Sequence, residues 1–270
     1  MRVPSLPLAA LVASALLAGC GAQSGLPSAG SASGPWIPAA RGRAASALGP
    51  FSASAYLTEL RKTKPVVYFS LDDRQSAIGK YGISLVGGAR FKSGGAIKSQ
   101  PHDKSLALHG TAYATTTFTG RIPGAGAMVA WVNLSELPSQ AGQYFYISGE
   151  SQSGNDFDLQ FENDNNLYFY TGGGENTEYT TNAADLLHRW IMVAVSYEGG
   201  PNGFRDIYWN GRLVAPYHGQ VDNSPKTSQF NIGESLVFTG RYFQGAIDAV
   251  AVWNHPLNAK QIKAIYQSAR

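Results

Sequence analysis

A single cysteine, Cys20, stands in the 270 residues. No disulfide can close within the chain, and no zinc site built on several cysteines can form. Charged residues are scarce at 14%, which argues against a coiled coil or a helical bundle. The 21 Lys and Arg against 18 Asp and Glu leave a net charge of +3, spread evenly. That excludes the basic patch of a nucleic-acid binder. The five histidines are scattered, and none pairs with a Ser or Asp in a known nucleophile motif. No phosphate-binding glycine loop occurs, because Gly172-Gly173-Gly174 is followed by Glu175, with no Lys and no helix. What is plentiful is Gly (31), Tyr (14) and Phe (12), the composition of a β protein with many turns.

The N-terminal apolar run, Leu6 to Leu17, is shorter than the ~20 residues that cross a bilayer as a helix. Arg2 before it and small residues after it fit a signal peptide over residues 1–19. Leu17-Ala18-Gly19-Cys20 resembles the lipobox of bacterial lipoproteins. The resemblance implies cleavage before Cys20 and lipid attachment to its sulfur. It also implies a cell-envelope location, with Gly21 favouring the outer membrane in a Gram-negative source. Residues 20–50 then hold the lipidated cysteine and a linker; of Gly21 to Pro50, 23 of 30 residues are Gly, Ala, Ser or Pro. Such a segment buries too little surface to offset its chain entropy. The folded module is expected over residues 51–270.

Within that module, Ser52 to Thr63 carries Tyr56, Leu57 and Leu60 near helical spacing, and Pro65 stops it. From there on, short apolar or alternating runs are separated by Gly, Asn, Asp and Pro. Twelve are expected as strands, among them Ala127–Leu134, Tyr144–Ser148, Phe157–Phe161, Leu167–Thr171, Trp190–Tyr197 and Gly245–Trp253. Asn210-Gly211 between Ile207-Tyr208-Trp209 and Leu213-Val214 predicts a type I′ hairpin. A C-terminal helix is expected after Asn258, whose capping box is completed by Gln261. Many short strands without alternating helices predict an all-β antiparallel sandwich or barrel, with short helices at both ends.

Several segments resemble the laminin-G-like, concanavalin A-like lectin/glucanase jellyroll. They are Lys64-Pro65-Val66-Val67-Tyr68-Phe69, Ala107-Leu108-His109-Gly110, Met128-Val129-Ala130-Trp131-Val132, Arg189 to Tyr197 with the Asn210-Gly211 hairpin, and Gln244 to Asn254. The resemblance runs from about Ser52 to the C-terminus and implies a two-sheet jellyroll sandwich. It leaves function open, because one fold hosts many activities.

Three sites follow. Strand alternation puts Tyr144 and Tyr146 on one face, and likewise Tyr168 and Tyr170. Four tyrosines, with Tyr179 beside them, then form a platform on which sugar rings stack. The alternative is that these tyrosines only favour strands and cover a half-buried surface. Gln160, Glu162, Asn176, Glu178 and Arg189 are candidate polar contacts. Second, the resemblance implies a structural Ca²⁺ held by Asp248 on the closing strand with Asp72 or Asp73 near the first strand; the alternative is that Asp248 caps backbone amides or pairs with a base. Asn155-Asp156-Phe157-Asp158 is a poorer metal match, with no His partner at a recognisable spacing. Third, Phe161-Glu162-Asn163-Asp164 begins like the acid strand of related glucanases, but Leu167 stands where the last acid belongs. Asn163 to Asn166 reads instead as a turn. The expectation is a non-catalytic, membrane-anchored glycan-binding module. The alternative is a protein-binding adhesion module of the envelope, and a glycoside hydrolase ranks third.

Overall fold

The computed structural model describes residues 54–120, 122–150, 156–172 and 174–270. Cys20, the signal segment 1–19 and the linker to residue 50 lie outside them. The chain opens with helix α1 (Ala55–Lys62), followed by β1 (Val67–Phe69), β2 (Ile83–Val86), β3 (Arg90–Ser93), β4 (Lys104–Leu108), β5 (Tyr113–Thr119) and β6 (Ala125–Leu134). A short helix, α2 (Pro138–Ala141), leads into β7 (Phe145–Glu150), β8 (Phe157–Phe161), β9 (Leu167–Gly172) and β10 (Glu175–Tyr179). Then come β11 (Ile191–Glu198), β12 (Gly200–Trp209), β13 (Arg212–Val221), β14 (Gln229–Ile232), β15 (Gly245–Trp253) and helix α3 (Ala259–Ser268).

The strands form two antiparallel sheets of eight and seven strands, a jellyroll sandwich. The first sheet runs β13-β12-β11-β6-β15-β4-β3, with β1 also paired to β15. The second runs β10-β9-β8-β7-β14-β5-β2. Inward side chains of both, including Phe69, Met128, Val132, Phe145, Phe161, Phe169, Val193 and Val250, make one buried core.

The two outer faces differ, and this difference positions the site. A second buried cluster covers the outer face of the eight-stranded sheet. There Tyr56 and Leu60 of α1 and Ile262 and Ile265 of α3 pack on Val129, Trp131, Ala194, Ala251 and Trp253. Strands buried on both faces read as continuous apolar runs, which is why Ala127–Leu134 and Ile191–Tyr197 show no alternation. The seven-stranded sheet keeps its alternation. Its apolar residues face the core, while Tyr168 and Tyr170 of β9 stay partly exposed on the other face.

The local expectations at both ends hold. Ser54 caps α1 through its side chain, accepting from the Leu57 amide, and Thr63 ends it. Asn258 and Gln261 form the expected capping box of α3. Asn210 and Gly211 both take positive φ, 51° and 78°, as a type I′ turn requires. Among the described residues no helix is long and apolar enough to cross a membrane.

Candidate functional site

Residues Asp156 to Glu162 read Asp-Phe-Asp-Leu-Gln-Phe-Glu. The period of two sends Phe157, Leu159 and Phe161 into the core and Asp156, Asp158, Gln160 and Glu162 to the opposite face. Neighbouring β9 repeats the split with Leu167 and Phe169 inward and Tyr168 and Tyr170 outward, in register with Gln160 and Asp158. A cleft of about 310 Å³ opens over this face. It is lined by Tyr144, Asp156, Asp158, Glu162, Tyr170, Gly174, Phe238 and Arg241.

Hydrogen bonds hold the lining rigid. The Tyr170 hydroxyl donates to Glu162 Oε1 at 2.6 Å, and Gln160 Nε2 donates to the same oxygen at 3.0 Å. Gln160 Oε1 accepts from Arg241 Nη1 at 2.9 Å. The Arg241 guanidinium lies 4.8 Å from the Tyr144 ring centre and 4.4 Å from that of Phe238. Tyr168 stacks beside Tyr170 with ring centres 6.2 Å apart and 24° between planes, and its hydroxyl donates to Asp164 Oδ2. Burial, and next the bond to Glu162, raise the Tyr170 phenol above its ordinary range, so it stays a neutral donor. The Glu162 charge raises Tyr144 in the same direction. Burial also raises the Asp156 carboxyl, against the opposing charges of Lys226 and Arg241.

Three of the five expected tyrosines therefore share this face: Tyr144, Tyr168 and Tyr170. Two do not serve as expected. Tyr146 is fully buried and offers no ring face to a ligand, and its backbone amide donates to the Arg241 carbonyl of the crossing 233–244 segment. Tyr179 pairs in register with the core residue Leu167 and packs on Trp209, so it points into the sandwich. Of the expected polar contacts, Gln160 and Glu162 belong to the cleft network, whereas Arg189 pairs with Asp185 elsewhere. Asn163 to Asn166 form the turn between β8 and β9, with the Asn165 amide donating to the Glu162 carbonyl. Asp156, Asp158, Phe238 and Arg241 were not expected. The alternation of residues 156–162 carries the signal for the first two. Nothing local signals the others, which arrive on a loop about 80 residues away in sequence.

The expected metal pair is also rearranged. Asp248 is fully buried, and its Oδ2 accepts from the Ala96 amide at 2.7 Å. Its neighbour is Asp103, whose Oδ2 accepts from the Ile97 amide at 2.6 Å. The two carboxyls also bond to each other side chain to side chain, which requires that one of them keep its proton. Burial and then the Asp103 charge drive the Asp248 carboxyl far up; burial raises Asp103 to about 6. Asp72 lies close enough for its charge to raise both, while its own oxygens accept from Gln100 Nε2 and the Lys104 amide. Asp73 caps the Gln75 amide. Two adjacent buried carboxyls are ligands of the type a hard cation takes on losing their shared proton, and Asp103 stands beside Asp248 where Asp72 was expected.

The sequence profile of the laminin-G type described as the concanavalin A-like lectin/glucanases superfamily matches residues 108–263. The chain belongs to that superfamily. No curated protein matches it in sequence. Among solved structures it is similar to domain 4 of AbnA, an extracellular arabinanase from Geobacillus stearothermophilus, in complex with arabinotriose. That likeness has a TM-score of 0.57 at 16% identity and covers 76% of this chain and 98% of that one. It is also similar to the receptor-binding domain of botulinum neurotoxin D, with a TM-score of 0.55 at 10% identity over 75% of this chain and 52% of that one. A third is the binding domain of botulinum neurotoxin DC in complex with SialylT, with a TM-score of 0.51 at 13% identity over 72% and 48%. The chain spans about half the length of the two toxin domains. At these identities the likeness shows the fold, and the superfamily holds both binding modules and glucanases.

Proposed function

We propose that this concanavalin A-like protein is a non-catalytic carbohydrate-binding module, anchored to the bacterial envelope by lipid on Cys20. The observation that carries the reading is the Tyr144–Tyr170 cleft. Aromatic faces stand beside fixed carboxyl and amide groups, the combination that stacks on a sugar's C–H face and hydrogen-bonds its hydroxyls. The similarity to structures bound to arabinotriose and to SialylT supports this use of the fold. Anchoring rests on Leu17 to Cys20 alone. A structural Ca²⁺ belongs to the same reading: Asp248 and Asp103 would hold it, and it would supply positive charge to two buried carboxylates.

The test is binding of neutral and charged oligosaccharides by the protein and by Tyr170→Ala, read by calorimetry. Loss of binding in a variant that melts like the parent supports the cleft. An assay for new reducing ends separates binding from hydrolysis. Hydrolysis requires a pair of carboxyls flanking one bond. Of the cleft carboxyls, Asp158 and Glu162 lie four residues apart, about 13 Å by backbone rise, whereas Asp156 and Asp158 lie two apart, about 7 Å, so the reducing-end assay decides between the two activities. One observation favours a protein partner instead: Leu236, Val237 and Phe238 are exposed apolar residues at the lip of the cleft. Oligosaccharide binding unchanged by Tyr170→Ala, together with capture of an envelope protein lost in Val237→Asp, would favour that reading.

A further inference from the structure

The cleft is strongly one-signed. Asp156, Asp158 and Glu162 line it against one guanidinium, Arg241. That guanidinium is already engaged, bonded to Gln160 and lying over Tyr144 and Phe238. The nearby cation Lys226 is fully buried and tied to Asp222 at 2.5 Å. Asp164 and Glu178 extend the acidity past the cleft, both bonded to Asn166.

Asp156 stands apart within this set. It is only 6% exposed, it lines the cleft, and its Oδ1 has no hydrogen-bond partner among the described residues. A buried carboxyl oxygen without a donor is costly to leave so, and a ligand N–H or ammonium satisfies it. In the same lining stands the electron-rich ring of Tyr170, which also attracts cations. A sugar bearing a carboxylate, by contrast, meets three carboxyl groups and, among the described residues, no free cation, a like-charge juxtaposition that rejects it.

We infer that the cleft selects a cationic glycan, one whose sugars carry free amino groups, with the ammonium on Asp156 and the ring on the Tyr144–Tyr170 wall. This rests on the carbohydrate-binding reading above and narrows it to a ligand class. A de-N-acetylated hexosamine polymer has the required chemistry: a stackable pyranose face, hydroxyls, and an amine on each residue that is protonated in mildly acidic solution.

Calorimetry in mildly acidic buffer, where the amines are protonated and the uronic acid is still ionised, tests it with three probes: a glucosamine oligomer with free amines, its N-acetylated counterpart, and a galacturonic acid oligomer. The free-amine oligomer is expected to bind about tenfold or more tightly than the acetylated one. That preference should shrink with added salt and vanish in Asp156→Asn, a near-isosteric change whose fold is checked by its melting curve. Glu162→Gln provides a second variant, expected to weaken the same preference. Equal binding of acetylated and free-amine oligomers, or tighter binding of the acidic one, overturns the cationic class and leaves the carbohydrate reading standing. Spermidine binding as tightly as the amino sugar overturns the sugar assignment. No binding of any oligosaccharide here or in the neutral series removes the carbohydrate reading and this inference together.

Discussion

Tyr170 shows how one residue joins fold to chemistry. Its backbone belongs to β9, its ring walls the cleft, and its hydroxyl fixes Glu162. Tyr170→Phe keeps the ring and removes the donor, so it is expected to weaken ligand binding several-fold, whereas Tyr170→Ala is expected to abolish it. Calorimetry on both variants separates stacking from hydrogen bonding. Glu150 makes a stability prediction of a different kind. It is fully buried beside Gly120, where any Cβ would fall 2.0 Å from its carboxyl. Burial, opposed by the Ser228 amide and the Lys226 charge, raises its pKa from 4.5 to about 8. The folded state therefore holds a proton that the unfolded chain releases. Its contribution is fully present below the unfolded value of 4.5 and is lost as pH rises through about 8. Glu150→Gln should flatten that decline and gain on the order of a few kcal/mol at alkaline pH, measured by denaturant unfolding across the pH range. At this scale the sequence was legible where alternation is strict. Tyr144, Tyr168 and Tyr170 fell on the expected face because residues two apart share a face. Tyr146 satisfied the same rule yet lies buried, because burial depends on a loop that local pattern does not report. Asp103 carries no local signal because its partner Asp248 lies more than half the chain away in sequence.

Among the elements, β8 and its hairpin partner β9 set the site, and both were readable to within one residue. The β12–β13 hairpin was equally plain from Asn210-Gly211. That turn also docks on α3, since a Cβ on Gly211 would meet the Tyr266 Cβ at 2.8 Å at a φ of +78°. Gly211→Ala is expected to destabilise the fold by about 1–3 kcal/mol, from left-handed strain together with displacement of Tyr266. A lowered urea midpoint with an unchanged m-value checks this. The strands β2, β3 and β10 escaped notice for a common reason. Each is four or five residues long, and Arg90–Ser93 and Glu175–Tyr179 carry mostly polar side chains at a sheet edge or beside one. Edge strands bury too little to impose a period. The helices were legible from their caps, which are local chemistry.

For the whole molecule, the asymmetry of the sandwich matters most. The eight-stranded sheet is sealed on its outer face by α1 and α3, which leaves the outer face of the seven-stranded sheet open around the cleft. The resemblance gave the jellyroll, but which outer face is sealed depends on helices packing from both ends of the chain. Cation binding at Asp248 and Asp103 would stabilise the folded state by mass action, about 2.7 kcal/mol at a hundredfold excess over Kd. A rise in Tm with calcium, reversed by chelator and absent in Asp248→Asn, is the expected outcome; an unchanged Tm removes calcium from the reading. Lipid attachment predicts that Cys20→Ser moves the protein from the membrane fraction to the soluble one. The central claim, glycan recognition by the tyrosine-walled cleft, is tested most directly by one glycan-array comparison of the protein with Tyr170→Ala. The expected result is a defined set of retained glycans that the folded variant loses. Retention of the same glycans by the variant, or of none by the parent, would contradict it.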